Sequence, residues 1–466
     1  MNFKKKILYY SIPLVVLIYL LIFFTLGSSF LYPFKKFITN ETKSSIKSLI
    51  FPYKHIKELE SVINSYEKGL EVSFYNLQDA ILKADYNIKD NLNELHFERK
   101  IISVLNNKTF EIYSPTFNRI SKGVDRITPG SGFVEYYKDK LFLLSSIGIF
   151  AYADKIEEKL VFKQIKNNIE NFVDEKQFRE EGDLSIKDLK IFKDKVFLSY
   201  TNEVKNGCWN ISIIVADLNY EELKFKELFN PKNEFVCQRV EENLNEFEGF
   251  QTGGRIIEYK EGKILFSTGE YRARHLAQDP KSMFGKILEI DINNKNKYKI
   301  ISMGHRNPQG LLYDEENNFL ISTEHGPKGG CEINLIELSN NNSIIPNYGW
   351  PIAAYGVHYG EPNSKKTLLK NTKYPLLDSH KDNGFVEPLK YFTPSIGPSE
   401  IIKIGKLKYL LATLKEKSLF FIELNESKKV VNFKKFLVGE RIRDLNVNNN
   451  IIYMFMESTG SIGILR

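Results

Sequence analysis

Residues 304–351 read GHRNPQGLLYDEENNFLISTEHGPKGGCEINLIELSNNNSIIPNYGWP, and this stretch holds two polar loops around one short apolar strand. The loops at 305–310 and 324–330 contain several Gly and Pro residues, and the strand is predicted at 319–322. Loops that flank one strand in this way are expected to reach one face of a sheet. That face would carry a guanidinium group, an amide, an imidazole and free carbonyl groups. Such groups suit an anionic, planar or metal-bound ligand.

Arg306 and Asn307 also have a simpler interpretation. An isolated RNPQG run is typical of a turn that binds nothing. The residues around the run must therefore decide between a turn and a binding site.

The composition is that of a globular protein and argues against a nucleic-acid partner. Of 466 residues, 42% are hydrophobic and 13% are aromatic, which favours strands and a large core. The formal charge is +7, from 65 basic and 58 acidic residues, and no dense basic run with interleaved aromatics occurs. We therefore predict no binding of nucleic acid.

The three cysteines are Cys208, Cys237 and Cys331, and none forms a CxxC pair. A zinc site is therefore not indicated. Cys208 and Cys237 flank a predicted strand, loop and strand, so they can form a disulfide in an oxidising compartment. The sequence leaves open whether they do, because it does not fix the geometry of the two side chains.

The N-terminus predicts a membrane anchor. Residues 7–26 carry no charge and are long enough to cross a bilayer as a helix. Lys4, Lys5 and Lys6 precede this run, which favours a cytoplasmic N-terminus. We predict a single-pass signal-anchor within residues 1–30 and an extracytoplasmic location for the rest, periplasmic in a Gram-negative cell. A cleaved signal peptide is the alternative.

Residues 31–107 are predicted to be a partly helical linker. From residue 40 they are rich in Lys, Glu, Asn and Leu and poor in Gly, and several apolar residues recur at helical spacing. A packed stalk and a partner-binding helix would both show this pattern. We favour the stalk because the pattern falls short of a sustained heptad.

From residue 108 onward one phrase recurs six times: a polar turn, then an apolar strand that ends in small or polar residues. The strands are LFLLSS (141–146), VFLSYT (196–201), ILFSTG (264–269), FLISTE (319–324), YLLATL (409–414) and IIYMFME (451–457). Irregular repeats of strand-rich units are typical of a propeller, in which each blade packs against its neighbours. We therefore predict an all-β, six-bladed β-propeller at 108–466, against the alternative of a β-sandwich.

Seven motifs carry a resemblance to a known family. In chain order they are GGRI (253–256), AQDPKSMFGKILEID (277–291), GHRNPQGL (304–311), EHGPKGGCEINLI (324–336), NYGWP (347–351), TPSIGPS (393–399) and RIRDL (441–445). With these motifs the chain resembles the glucose/sorbosone dehydrogenase family of soluble-type quinoproteins. The resemblance implies a six-bladed propeller whose channel holds the cofactor PQQ, a tricarboxylated ortho-quinone, over a calcium ion.

The resemblance also implies roles for individual residues. Arg306 and Asn307 match the pair beside the quinone, and His325 lies where relatives carry Gln or His. Gly326 and Pro327 match the residues whose carbonyl groups bind calcium. The residues that match the cations for the PQQ carboxylates are Lys415, Arg441 and Arg443. Three carboxylates require several cations, so the set is chemically coherent.

The base that removes the hydroxyl proton is not where the resemblance implies a histidine. The expected phrase precedes the strand at 196–201, and this chain has IKDLKIF at 186–192, without histidine. We predict Asp188 or Lys190 as the base, acting with Arg306, because burial can shift either pKa toward that role. Cys331 is a second departure, since relatives carry Asp there. His275 is a further imidazole, for which a packing role is the alternative.

These observations leave two functions open. The first is a membrane-anchored, PQQ-dependent dehydrogenase that oxidises a hydroxyl of a sugar or other alcohol and passes electrons to an acceptor. The second is an inactive propeller that binds a glycan, a small anion or another envelope protein. The retained cofactor residues favour the enzyme, and the missing histidine favours the binding module.

Overall fold

The computed structural model describes residues 60–66, 69, 93–105, 107–116, 132–174, 177, 185–238, 247, 249, 251–338 and 344–466. The chain divides into two compact units, Met1–Leu77 and Gln78–Arg466. In the first unit, residues 60–66 are helical. Among the residues that the structure describes, no helix is long and apolar enough to span a membrane. The predicted anchor at 7–26 lies outside those residues, as does most of the predicted linker.

The second unit is built of strands, which confirms the predicted all-β class for its described residues. The strands are β1 (Glu94–Leu105), β2 (Lys108–Pro115), β3 (Gly132–Tyr137), β4 (Lys140–Ser145), β5 (Phe150–Ala153), β6 (Lys159–Asn167), β7 (Ile186–Phe192), β8 (Lys195–Lys205), β9 (Cys208–Asp217), β10 (Glu222–Leu223), β11 (Lys226–Phe229), β12 (Val236–Cys237), β13 (Gly253–Glu258), β14 (Lys263–Thr268), β15 (Lys286–Asp291), β16 (Tyr298–Met303), β17 (Pro308–Asp314), β18 (Phe319–Glu324), β19 (Lys328–Gly329), β20 (Cys331–Glu337), β21 (Gly356–Val357), β22 (Lys390–Phe392), β23 (Pro398–Gly405), β24 (Lys408–Thr413), β25 (Ser418–Leu424), β26 (Val430–Leu437), β27 (Ile442–Asn448), β28 (Ile451–Met456) and β29 (Ser461–Leu465). The helical segments are short: 3-10 turns at Ile169–Asn171, Arg274–Gln278 and Lys381–Asn383, and an α-helix at Lys365–Lys373.

The described strands pair mainly into six antiparallel sets of four. In order these are β3–β6; β7, β8, β9 and β11; β13–β16; β17, β18, β20 and β22; β23–β26; and β27–β29 with β2. The first strands contact one another in the order β3, β7, β13, β17, β23 and β27, and β27 returns to β3. The described strands therefore form a closed, propeller-like arrangement.

The two ends of the second unit are joined by strand pairing. β2 pairs with β29, which brings Phe110 opposite Leu465, so a strand from the start of the unit completes the last set. β1 pairs with both β2 and β6 and thereby links the last set to the first. β1 begins upstream of residue 108, where the sequence analysis placed the start of the strands. The sequence signal for β1 is short, because Leu95 and Phe97, two positions apart, are the only buried residues of this strand.

The second strand of each set is apolar along its length because it is covered on both faces. In β4, β14 and β28 every residue after the first is buried. Aromatic rings fill the space between neighbouring sets, as where Phe229 meets Phe266 with ring centroids 6.0 Å apart. This packing explains why the apolar phrases recur in the sequence at these strands.

The centre of the ring is held by the guanidinium group of Arg255 on β13. Arg255 Nη1 donates to Asp188 Oδ1 on β7 at 2.6 Å and to Asp444 Oδ1 on β27 at 2.8 Å. Its Nε lies 2.6 Å from Glu400 Oε2 on β23 and donates to the carbonyl of Gln309 on β17 at 3.1 Å. One cation therefore ties together five of the six first strands. The sixth, β3, joins through the backbone N–H of Val134, which donates to Asp444 Oδ2 at 2.9 Å.

The carboxylates around Arg255 are fully desolvated, and their ionisation depends on its charge. Burial raises the pKa of Asp188 to about 7, although Arg255 opposes the shift. Burial likewise raises the pKa of Glu400 and of Asp444. A second pair, Lys190 Nζ with Glu135 Oε1 at 2.7 Å, links β7 to β3. Buried charges of this kind are tolerated only because they are paired.

Removal of Arg255 is expected to destabilise the ring in a pH-dependent way. We expect Arg255→Met to lower the free energy of unfolding by about 3–5 kcal/mol near neutral pH, because it leaves buried carboxylates without their cation. A carboxyl group whose pKa is raised by folding stabilises the protein less as the pH rises. The reason is that the unfolded chain releases this proton at a lower pH than the folded protein does. The loss should therefore be smaller at pH 5 than at pH 8, measured by urea unfolding.

The control is Lys138→Met, which breaks the solvent-exposed ion pair between Lys138 and Asp194. It should change stability little at either pH, since exposed pairs contribute little. An Arg255→Met protein as stable as the unmodified chain, or equally destabilised at both pH values, would contradict the assignment of Arg255 as the central tie.

Candidate functional site

The strand register brings several loops to one end of the ring. Pro308 pairs with Glu324, so the loop before β17 lies beside the loop after β18. Equivalent pairings join Gly253 to Thr268, Pro398 to Thr413 and Ile442 to Met456. Hydrogen bonds then connect neighbouring sets, as where His325 contacts the carbonyl of Pro398. We call this group of loops the binding face.

Arg306 lies in the loop before β17 and is 6% exposed. Its backbone N–H donates to Glu324 Oε2 at 2.7 Å, and its Nη1 donates to the carbonyl of His325 at 2.8 Å. The guanidinium carbon lies 5.3 Å from the ring centroid of Trp350, within the range of a cation–π contact. Burial lowers the pKa of Arg306, and Glu270 acts in the opposite direction. The structure therefore holds a planar cation firmly at this point.

The carboxylate of Glu324 holds the loop of Arg306 in place. Its Oε1 lies 3.0 Å from His305 Nδ1 and accepts from Asn334 Nδ2 at 2.6 Å. His305 in turn bonds Ser302 Oγ at 2.8 Å and stacks on Tyr348 with centroids 4.9 Å apart. Burial alone would raise the pKa of Glu324, but His305 and the hydrogen-bond donors hold it below its ordinary value. Glu324 is thus an ionised support, and His305 has a packing role beside the loop.

Asn307 links the third set of strands to the fourth. Its Oδ1 accepts from the backbone N–H of Gly253 at 3.0 Å and from Gln309 Nε2 at 2.9 Å. Its own carbonyl accepts from His325 N–H at 3.1 Å. Asn307 is 2% exposed, so its fixed amide orients both loops.

His325 is half-buried and uncharged. Its Nε2 lies 2.7 Å from the carbonyl of Pro398, and because a carbonyl only accepts, that nitrogen carries the proton. Burial lowers the pKa of His325 to about 3, and the charges of Arg443 and Arg306 add to the shift. The ring therefore stays neutral across the ordinary pH range.

Gly326 and Pro327, the predicted calcium residues, border a small cavity beside Arg306 and Trp350. The cavity volume is about 10 Å³, room for one water molecule or one ion. A Cβ at residue 326 would lie 1.9 Å from the carbonyl oxygen of Gly330, so only glycine fits. No group of three His, Cys, Asp or Glu side chains is placed to hold a metal in the described part of the chain. A calcium ion here would rely on backbone carbonyl groups.

The remaining predicted cations lie on loops of the same face. Arg441 Nε contacts Glu457 Oε2 at 3.0 Å, and Arg443 Nη2 contacts Glu457 Oε1 at 2.6 Å. Arg443 Nη1 also donates to Gln309 Oε1 at 3.3 Å, which connects it to the loop of Arg306. Lys415 is exposed and follows the end of β24. The guanidinium groups of Arg441 and Arg443 therefore both contact the carboxylate of Glu457.

The predicted bases, Asp188 and Lys190, lie on β7 in the central ion network. Asp188 is fully buried and bonds Arg255 and the backbone N–H of Ile256, the latter at 2.6 Å. Lys190 is paired with Glu135. Their contacts are those of residues that hold the strands together, and they differ from those of Arg306. The predicted cysteines, Cys208 and Cys237, form a disulfide in the structure, and Cys331 is free and buried.

Three polar groups near Arg306 did not emerge from the sequence. Neither carboxylate oxygen of Glu270 has a side-chain hydrogen-bond partner in the described residues, although the backbone of Arg272 lies close enough to lower its pKa; Gln251 Oε1 and Trp350 Nε1 have no partner there. The backbone N–H of Glu270 donates to the carbonyl of Arg306 at 3.1 Å. Burial raises the pKa of Glu270, while the charges of Arg274 and Arg306 oppose the shift. Buried polar atoms without partners are rare and often indicate a ligand or a catalytic group.

A signal for Glu270 exists in the repeats. Glu270 immediately follows the ILFSTG strand, as His325 follows FLISTE and Lys415 follows YLLATL. The three side chains therefore occupy equivalent positions in three sets, and two of them were already in the predicted site.

A closed ring of antiparallel sheets with cationic side chains at one end defines a propeller-like protein. Solved structures show the same fold. The soluble aldose sugar dehydrogenase of Escherichia coli in its apo form matches 74% of this chain and 99% of its own, with 19% identity and a TM-score of 0.55. The PQQ-bound aldose sugar dehydrogenase of Streptomyces coelicolor matches 77% and 98%, with 17% identity and a TM-score of 0.52.

The sequence defines the family. The glucose/sorbosone dehydrogenase model matches residues 163–466, and the chain belongs to that family. The aldose sugar dehydrogenase of E. coli strain K12 is 29% identical over 233 residues, 46% of this chain and 59% of the relative. Quinoprotein glucose dehydrogenase B of Acinetobacter calcoaceticus is 29% identical over 132 residues, 22% and 26% respectively. The chain thus matches less than two thirds of the length of either relative.

Loss of the Glu324 charge is expected to loosen the binding face. Glu324→Gln should lower the free energy of unfolding by about 1–3 kcal/mol at pH 7, because buried donors lose an ionised acceptor. The pKa of Glu324 is depressed by folding, so its contribution is present above the unfolded value of about 4.3 and fades as the pH falls below it. The difference between the two proteins should therefore shrink at pH 3.5, as measured by urea unfolding.

Glu337→Gln is the matched control, since Glu337 is 68% exposed and pairs with Lys428 on the surface. It should leave stability nearly unchanged at both pH values. If Glu324→Gln behaved in the same way, Glu324 would not support the loop of Arg306.

Proposed function

We propose that the chain forms a six-bladed β-propeller with the binding face at the loop-bearing end. The contacts among the six first strands and the pairing of β2 with β29 support this proposal. A ring closed by strands from both ends of a domain leaves few free sheet edges. On this arrangement the binding face lies over the channel that Arg255 fills.

We propose that the binding face holds PQQ and that the protein is a dehydrogenase for the hydroxyl group of a sugar or another alcohol. The observation that carries the proposal is that Arg306, Arg441, Arg443 and Lys415 all lie at the loop-bearing end of the ring. PQQ is planar and carries three carboxylates, and guanidinium groups bind carboxylates through paired hydrogen bonds. When bound, it would accept the two electrons removed from the substrate carbon.

The residues present fit such a ligand. Trp350 Nε1 is buried beside Arg306 and has no hydrogen-bond partner among the described residues, so it can donate to an acceptor on the ligand. Arg441 and Arg443 both contact Glu457, and a guanidinium group carries five N–H donors, enough to pair with a ligand carboxylate as well. We propose that the carbonyl groups of Gly326 and Pro327 would hold calcium, whose preferred ligands are oxygen atoms.

We propose Glu270, rather than Asp188 or Lys190, as the group that accepts the hydroxyl proton. Its carboxylate has no side-chain hydrogen-bond partner in the described residues, whereas Asp188 and Lys190 are engaged in ion pairs. Burial raises the pKa of Glu270, which makes it a stronger base than an exposed carboxylate. The charge of Arg306 beside it favours the ionised form that a base requires.

Titration of the protein with PQQ, with and without Ca²⁺, followed by dye reduction with a panel of sugars, tests both assignments. Arg306→Ala is expected to weaken PQQ binding by at least about tenfold, because a charge-assisted pair is lost. Glu270→Gln should bind PQQ as the unmodified protein does and reduce the rate by about 10²- to 10⁴-fold, the usual contribution of a general base.

Lys190→Met is the control, and its rate should stay within a few fold of the unmodified protein if the chain remains folded. Absence of PQQ binding by the unmodified protein would refute the dehydrogenase assignment. If Glu270→Gln bound PQQ and kept full activity, the role of Glu270 would be refuted, but the assignment of PQQ binding would not.

We also propose that residues 7–26 anchor the protein in a membrane with the propeller extracytoplasmic. The support is the uncharged run and the lysines before it. A chain that starts at residue 31 should leave the membrane fraction, while the full chain should stay in it through a carbonate wash. If both partition identically, the anchor is not at these residues.

A further inference from the structure

A second cavity, of about 510 Å³, opens in the set formed by β7, β8, β9 and β11. It shares no lining residue with the small cavity beside Arg306. One wall is fixed by the disulfide between Cys208 and Cys237 and by the pairing of Val236 with Trp209. Its volume lies in the range of small-molecule sites and suits one or two sugar units.

The cavity has an aromatic wall. Phe172, Tyr200 and Trp209 line it, and the rings of Phe172 and Tyr200 meet edge to face at 5.8 Å. Tyr200 and Trp209 are 1% and 4% exposed, so they are part of the packed blade. Phe172 is half-buried, and its ring offers a surface on which the C–H groups of a sugar ring can pack.

Trp209 also supplies the observation that points to a ligand. Its Nε1 is buried and has no hydrogen-bond partner among the described residues. An indole N–H is a donor only, and leaving it unpaired in the interior costs free energy. A hydroxyl oxygen of a ligand in this cavity would satisfy it.

The other walls carry amides whose orientation is fixed by their neighbours. Asn202 Nδ2 lies 3.3 Å from Asn230 Oδ1, and Asn230 Nδ2 donates to Glu227 Oε2 at 2.6 Å. Gln177 Nε2 donates to the carbonyl of Thr201 at 2.9 Å. Amides both donate and accept, as the hydroxyl groups of a sugar do.

The charged side chains in the described wall of the cavity disfavour the binding of an anion. Among the described lining residues, the acidic ones outnumber the basic ones: Glu170, Asp174, Glu203 and Glu227 against Lys232. Lys295, outside the lining, pairs with Glu227 at 2.7 Å. A tricarboxylate such as PQQ would be repelled here, whereas neutral or aminated ligands would not.

We propose that this cavity is a binding site for a saccharide that carries no acidic group, either neutral or aminated. Its chemistry is independent of the dehydrogenase proposal, because it needs neither PQQ nor the binding face. Phe172 packs against the sugar ring, Trp209 Nε1 donates to a hydroxyl oxygen, and the amide of Asn202, which Asn230 holds in place, bonds a further hydroxyl group. Glu203 and Glu227 favour an amino group over a carboxylate on the sugar.

The two tryptophans of the chain separate this cavity from the binding face. Trp209 and Trp350 are the only ones in the sequence, and each lies in one of the two places. In Trp350→Phe, Trp209 is the sole indole, and its fluorescence reports on the cavity. In Trp209→Phe, Trp350 reports on the binding face.

We expect saturable changes in Trp209 fluorescence when the full-length Trp350→Phe protein is titrated with cellobiose or glucosamine. Glucuronate should bind at least about tenfold more weakly than glucosamine, a difference of roughly 1.4 kcal/mol that reflects the acidic wall. Asn202→Asp in the same background keeps the shape of the side chain and loses its amide donors. It should weaken cellobiose binding by a similar factor, with an unchanged melting temperature as the check on folding.

Two results would overturn the proposal. One is the absence of any saturable change in Trp209 fluorescence up to about 50 mM of either sugar, since weaker binding than this is not specific recognition. The other is a response to the sugars only in Trp209→Phe, which would place them at the binding face. Equal affinity for glucuronate and glucosamine would refute the role assigned to the acidic residues.

Discussion

The guanidinium group of Arg255 is the constraint on which the ring depends. Each set of four strands buries its apolar faces against the neighbouring sets, but this packing alone does not fix the distance of a set from the centre. Arg255 does so by contacting carboxylates on β7, β23 and β27 and a carbonyl on β17. A buried cation and a buried carboxylate must each be paired. The first strands therefore stay at the separation that keeps the contacts with Arg255. The loops at their ends are therefore held at fixed positions too.

The first strands serve the centre and the binding face at once, and irregular register makes this possible. Register shifts occur near the start of β7, β13, β17, β23 and β27. A bulge re-aims the side chain next to it. In RIRDL, Arg441 and Arg443 thus meet Glu457 on the binding face while Asp444 reaches Arg255 in the centre. One short motif therefore carries two residues of the proposed ligand site and one residue of the central ion network.

Because one motif has residues in two different places, the sequence could predict only part of the site. The strands were predictable because their apolar runs recur, and Lys415 and His325 followed from the family motifs. For Asp188 the sequence could not separate the two roles, because a carboxylate in an apolar strand has the same pattern whether it takes a proton or an ion pair. Its partner Arg255 is 67 residues away along the chain, a contact that only the ring creates. Glu270 was not predicted, because the repeated phrase was taken to end at Gly269, one residue before it.

The same architecture produces two places of opposite charge. On the binding face, Trp350 packs against the cation Arg306, and arginine outnumbers its carboxylate partner at Glu457. In the cavity of the second set, Trp209 stands among amides and carboxylates instead. Both tryptophans have an indole N–H without a partner in the described residues, so the neighbouring charges decide what each accepts. A planar anion and an uncharged sugar would therefore occupy different parts of the chain without competing.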